Sequence, residues 1–195
     1  MFVTEKINFK EDQLSILTGV TWEDYEQLNS PEYNSYLISY LNNEITIMSP
    51  GRNHERISAT ISMLIEAYCD KYDLDCFPFG STRLEEKGLE GKEPDTSYAF
   101  GTDKNKPDLA VEVIFTSGSL NDLTKYKYLK IKEVWLWQNN QITFYQLENN
   151  EYKIIESSFH LQGVESQSLA NFINRGFLES TTKIRKDFIN NYLSS

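Results

Sequence analysis

The sequence predicts an α/β (α+β) fold, a mixed central sheet flanked by helices. Three observations carry that prediction. Ile57, Ile61, Leu64, Ile65 and Tyr68 recur along one helical face. Residues 108–115, DLAVEVIF, form a β-branched, turn-bounded apolar run, the pattern of a central strand. The order helix, several strands, helix, strands then places helices on both flanks of a sheet.

The elements follow in order. Thr21 opens a short helix, with Asp24 three residues on to complete its cap. A turn at Asn42-Asn43 leads into a strand over 43–48, stopped by Ser49-Pro50-Gly51. The apolar stripe defines the next helix, capped by Asn53 and closed by the polar stretch 70–75. A strand region starts at Cys76. The charged stretch 85–93, with Gly88 and Gly91, reads as a loop or hairpin tip. Strands at 95–100 and 108–115 follow, then a helix over 120–132. Two strands flank Asn139-Asn140, and a short strand covers 152–155. Trp135 and Trp137 are expected on opposite sides of their strand, one of them in the core. Helices over 168–173 and 183–193 end the chain, and His160 is placed on the surface.

With 195 residues, the chain has the length of one domain of about 100–200 residues. It shows no repeat and no linker, so 1–195 reads as a single domain with its core over about 35–150. Hydrophobic residues at 39% and charged residues at 25% exclude a disordered chain. No apolar run approaches the ~18 residues of a membrane span, the N-terminus does not resemble a signal peptide, and only Cys69 and Cys76 are present. The expectation is a cytoplasmic protein with no membrane partner.

The net charge is −10, which argues against a broad, sequence-independent grip on nucleic acid. It is unevenly spread. Residues 1–50 hold eight acids and two bases, whereas Lys125, Lys127, Lys130 and Lys132 crowd the stretch after the central strand. Those four lysines are either phosphate contacts or a solvated helix face.

Glu112 is the most informative residue. It interrupts an apolar strand that should be covered on both faces, and an unpaired buried carboxylate costs several kcal/mol. It therefore needs a cation, a metal or a proton. Pro94-Asp95 comes 17 residues earlier, a β-hairpin's length away. Two carboxylates on adjacent strands could hold one hard divalent cation and leave places for water and a phosphate oxygen. Pro107-Asp108 offers a second Pro-Asp, but Asp108 sits on Glu112's own strand, so Asp95 is preferred.

Pro94-Asp95 followed by Glu112 resembles the PD-(D/E)XK nuclease superfamily. More closely, the chain resembles the Uma family of restriction endonucleases, expanded in cyanobacteria. The matching segments are Asn43-Glu44-Ile45, Ile47-Met48-Ser49-Pro50, Gly51-Arg52-Asn53-His54-Glu55-Arg56-Ile57, Phe79-Gly80-Ser81-Thr82 and Gly91-Lys92-Glu93-Pro94-Asp95. Residues 107–118 and Lys132-Glu133-Val134-Trp135-Leu136-Trp137 complete them. The resemblance implies a restriction-endonuclease-like fold and a DNA phosphodiesterase that uses Mg²⁺ or Mn²⁺. Asp95 and Glu112 are its implied metal ligands, Glu44 a further carboxylate, and Lys125 the assisting lysine. His54 matches a family histidine that orients substrate or caps the helix.

The chain departs from the pattern in three places. Ile114 stands where an E-x-K lysine would follow Glu112. Asp122 stands at the usual helix lysine, and Ser39 replaces a glutamate before the Asn42-Asn43 turn. The leading expectation is a metal-dependent endonuclease acting on DNA, with a homodimer able to cut both strands. The alternative is a catalytically degraded nuclease-fold binding or scaffold protein. A carboxylate-pair glycosidase ranks last, because nothing in the sequence indicates a sugar cleft.

Overall fold

The fold is seen in a computed structural model whose described residues are 11–28, 33, 35–115 and 120–194; of residues 120–122 only the backbone is described. The matching segment at residues 116–118 therefore lies outside the described residues.

Two sheets are formed. The smaller is antiparallel, in the order β1 (Gln13–Thr18), β3 (Glu44–Ser49), β2 (Leu37–Leu41), β6 (Glu90–Lys92) and β5 (Leu84–Glu86). The larger runs β11 (Glu151–Ile155), β10 (Gln141–Glu148), β9 (Glu133–Gln138), β8 (Leu109–Ile114), β7 (Thr96–Phe100) and β4 (Cys76–Pro78). It is mixed because β8 and β9 pair in parallel. Parallel neighbours need a crossover, and α3 (Leu120–Leu129) supplies it. The mixed sheet flanked by helices is thus the expected architecture, and the antiparallel sheet is an addition to it.

The core follows strand alternation. Leu109, Val111 and Val113 of β8 pack against Ile57, Ile61, Leu64 and Ile65 of α2 (Arg52–Tyr72), together with α4 (Ser166–Arg175) and α5 (Thr181–Asp187). Ala110 and Ile114, on the opposite face, pack with Tyr126 and Leu129 of α3 and Leu84 of β5. Glu112 shares the period of Ala110 and Ile114, so it is directed to the α3 side. The small sheet's outer face is covered by Trp22 and Tyr25 of α1 (Trp22–Gln27), packed on Ile38, Tyr40 and Ile45.

Local chemistry explains most boundaries. Thr21 and Asp24 form the expected reciprocal cap. Three hairpins close on Asn-Asn pairs, Asn42-Asn43, Asn139-Asn140 and Asn149-Asn150, all with positive φ, the backbone of a two-residue turn that matches strand twist. Helix α2 starts two residues earlier than expected, with Gly51 and not Asn53 as its cap, and ends at Asp73 in the left-handed region.

Three expectations are corrected, and one strand is added. The charged stretch 85–93 does form a hairpin whose tip is exposed, but it is more than a tip: Glu90, Gly91 and Lys92 are buried as strand β6. Strand β1, over a stretch for which no element was expected, pairs with β3 along its whole length. Trp135 and Trp137 share one face and both join the α2-side core, because residues two apart in a strand point the same way. His160 is half-buried against Phe100, not on the surface. Buried Glu133 is structural: it accepts from Trp135 Nε1 at 2.7 Å and from the backbone N–H groups of Phe159 and His160.

Candidate active site

Glu112 sits on the central strand β8, only 3% exposed. Its Oε2 accepts from Lys92 Nζ at 3.2 Å, its Oε1 lies 3.1 Å from the same ammonium, and Oε1 also accepts from the hydroxyl of Tyr126. The cation that this carboxylate required is therefore a lysine from β6. That strand's period places Glu90 and Lys92 on the same face, and both are buried. Gly91 between them faces the other way, where a Cβ would stand 2.1 Å from the Tyr25 hydroxyl. No side chain fits there.

Lys125 of α3 is buried as well and donates to Ser39 Oγ at 2.8 Å. Strand pairing sets Tyr40 against Gly91 and Leu41 against Glu90. One step further along that register, Ser39 lies opposite Lys92. Glu90, Lys92, Glu112, Lys125, Ser39 and Tyr126 thus form a buried polar layer between the two sheets and α3. A cleft of about 240 Å³ beside it is lined by Leu41, Asn42, Glu44, Thr124 and Lys125. Glu44 and Lys125, both singled out from the sequence, open onto this same cleft.

Asp95 stands just before β7, one register step beyond the pair Thr96 and Val111, which sets it beside Glu112 along the backbone. Its Oδ2 accepts from Val113 N at 2.6 Å. Its Oδ1 lies 2.8 Å from His54 Nε2, off the axis of a hydrogen bond, so the contact is an ion pair. His54 Nδ1 meets Asp12 Oδ2 at 3.0 Å, and Asp12 Oδ1 accepts from Gly51 N at 2.8 Å. A Cβ on Gly51 would stand 2.6 Å from the Glu11 backbone, so glycine is what lets this segment approach. Burial pulls the His54 pKa down, but the two carboxylates outweigh it and raise the imidazole to about 10. At neutral pH an imidazolium bridges Asp12 and Asp95.

Neighbouring Glu93 is engaged elsewhere, accepting from Arg83 Nε at 2.6 Å and from Ile38 N at 2.8 Å. Asp108 binds Phe100 N and Lys104. The four lysines after β8 do not form one face. Lys125 is buried, and Lys132 donates to Leu147 O and lies over the Phe159 ring. The side chain of Asp122 lies outside the described residues.

Among the described residues, no three His, Cys, Asp or Glu side chains are arranged to hold a metal ion. Mg²⁺ asks for less: one or two carboxylates, with water and substrate phosphate completing six oxygens. Asp95 and Glu112 fit that demand in donor type, and each is now engaged by a protein cation, His54 and Lys92 respectively.

Sequence reasoning missed Lys92, Glu90, Tyr126 and Asp12. The available signal for two of them was Glu90-Gly91-Lys92, an acid and a base at strand period beside a glycine.

Comparison with known proteins agrees with the architecture. A family model described as "Uma2: Putative restriction endonuclease" matches residues 22–179. Among solved structures, the chain is similar to a putative nuclease belonging to DUF820 from Anabaena variabilis. The TM-score is 0.55 at 16% identity, over 79% of this chain and 99% of that one; at that identity the likeness concerns the fold. No curated protein matches. Among the described residues, no helix is long and apolar enough to cross a membrane.

Proposed function

The chain belongs to the Uma2 family of putative restriction endonucleases, and from that premise we propose that it hydrolyses DNA phosphodiester bonds with Mg²⁺ or Mn²⁺. The observation that supports this reading most is Glu112, a carboxylate buried on the central strand, engaged by Lys92 and Tyr126. Asp95, beside it on the next strand, is the second carboxylate. Asp95 and Glu112 would hold the cation, which when bound polarises a phosphate oxygen and makes water a better nucleophile. Hydrolysis adds that water across a P–O bond, leaving a phosphate monoester on one fragment and a hydroxyl on the other.

The chain's own groups divide the remaining work. His54, fixed by Asp12, orients Asp95. Tyr126 orients Glu112. Lys125 and Glu44, lining the cleft, stand where a backbone phosphate and its hydrated counter-ion would approach.

The test is supercoiled plasmid with Mn²⁺, beside Glu112→Gln. The expected outcome is nicked circles with the wild-type chain and a loss of about 100-fold or more in the variant. Two copies acting on opposite strands would carry nicked circles on to linear plasmid, and a single copy would stop at nicks. A second reading has its own support. Both carboxylates are already neutralised by protein cations and Lys125 is bonded to Ser39, an arrangement suited to binding without cleavage. Plasmid that is retarded on a gel but never nicked would select that reading.

A further inference from the structure

The resemblance implies Lys125 as the lysine of such a site. The position two residues after Glu112 is Ile114, which belongs to an apolar cluster. Lys125 reaches Ser39 on β2. Lys92, in contrast, places its Nζ 3.1–3.2 Å from both oxygens of Glu112. It comes from the neighbouring sheet, three residues before Asp95 in the chain, so one short stretch, Lys92-Glu93-Pro94-Asp95, carries both an ammonium and a carboxylate to the end of β8.

Stability alone gives a poor account of this lysine. A buried ion pair is often no better than a well-packed apolar pair, because desolvating both charges offsets their attraction. The Lys92 side chain is 9% exposed and that of Glu112 is 4% exposed, so both bear that cost in full. A flexible lysine is also a compact point charge, suited to a phosphate oxygen.

We infer that Lys92 is the functional lysine of the phosphodiesterase site, an ammonium from β6 that holds a non-bridging oxygen of the scissile phosphate beside Glu112. It acts as a cation throughout and transfers no proton. The assignment rests on the nuclease reading above and adds to it where the lysine comes from: the site's acid is on β8 and its lysine on the β5–β6 hairpin of the other sheet.

The experiment compares wild type, Lys92→Met and Lys92→Arg in the Mn²⁺ plasmid assay, each with a thermal melt. Lys153→Met, on the exposed β11, serves as the control. The expected result is a loss of about 100-fold for Lys92→Met, as for removing one charge-stabilising donor. Lys92→Arg should lose about tenfold or more while melting like wild type, because arginine keeps the ion pair but moves the donors. If Lys92→Met does not fold, Lys92→Arg decides alone. A folded variant within about threefold of an active wild type overturns the assignment and leaves the nuclease reading standing. Failure of both variants to fold makes Lys92 structural and also overturns it. A wild-type protein that never cleaves removes the nuclease reading, and this assignment with it.

Discussion

His54 shows how one side chain ties distant segments together. It begins α2, yet its two ring nitrogens meet Asp12 and Asp95, 42 residues before it and 41 after it. Each neighbour would be a buried, unpaired carboxylate without it, which costs several kcal/mol. Linkage fixes the pH dependence. The folded pKa of about 10 lies above the ordinary 6.5, so the stabilisation is complete below pH 6.5 and is lost as pH rises through about 10. Thermal melts across that window should show a falling midpoint, and Asp12→Asn should flatten the fall. An unchanged slope in Asp12→Asn would mean that Asp12 does not hold the imidazolium. The bridge was not legible in the sequence, because Asp12 has no periodic neighbours and its contact spans a chain distance that no local pattern encodes.

Among the elements, β6 is the least expected and the most consequential. It is three residues long, so one alternation of acid and base is too brief to mark a strand, and the charged stretch reads as a loop or hairpin tip. It is buried because it pairs with β2 on one side and β5 on the other and lies against α3, where Leu84 of β5 joins the core of α3 and β8. Gly91 permits that placement. A methyl group there would meet the Tyr25 ring carbons at 2.3 and 2.4 Å as well as the hydroxyl. Gly91→Ala should therefore cost about 1–3 kcal/mol by overpacking, read as a lower urea midpoint. Adding Tyr25→Phe should recover little, since the ring carbons remain; a full recovery would place the strain in the hydroxyl alone. Elements with strong local signals were legible by contrast. The Ile57–Tyr68 stripe lies against the sheet as its spacing demanded, and the Asn-Asn turns close the hairpins. The strands around Asp95 and Glu112 are neighbours as expected, with Asp95 just before β7 and Glu112 on β8, but the cations beside them come from α2 and β6, and those pairings are set by tertiary packing.

At the scale of the molecule, the polar layer between the sheets balances its own formal charge. The buried layer holds Glu90 and Glu112 with Lys92 and Lys125, two acids and two bases that cancel. The net −10 of the chain is therefore carried by the groups outside that layer. Of the four lysines after β8, Lys125 is buried and Lys132 is turned to Leu147 and Phe159, which leaves only Lys127 and Lys130 to offset it locally. A surface of this kind repels a polyanion at long range. Binding to a short DNA duplex without divalent cation should accordingly be weaker than about 10⁻⁴ M near 0.15 M salt, the weak end of non-specific binding. A divalent cation held by Asp95 and Glu112 would add positive charge where the phosphate must come. Ca²⁺, which supports binding without plasmid cleavage in this prediction, should therefore tighten the complex by about tenfold or more, a gain of about 1.4 kcal/mol. Fluorescence anisotropy of labelled duplex with and without Ca²⁺ measures it, and Glu112→Gln should abolish the gain. Tight metal-free binding with a steep salt dependence would instead reveal a basic face, and would move the DNA site away from the two carboxylates.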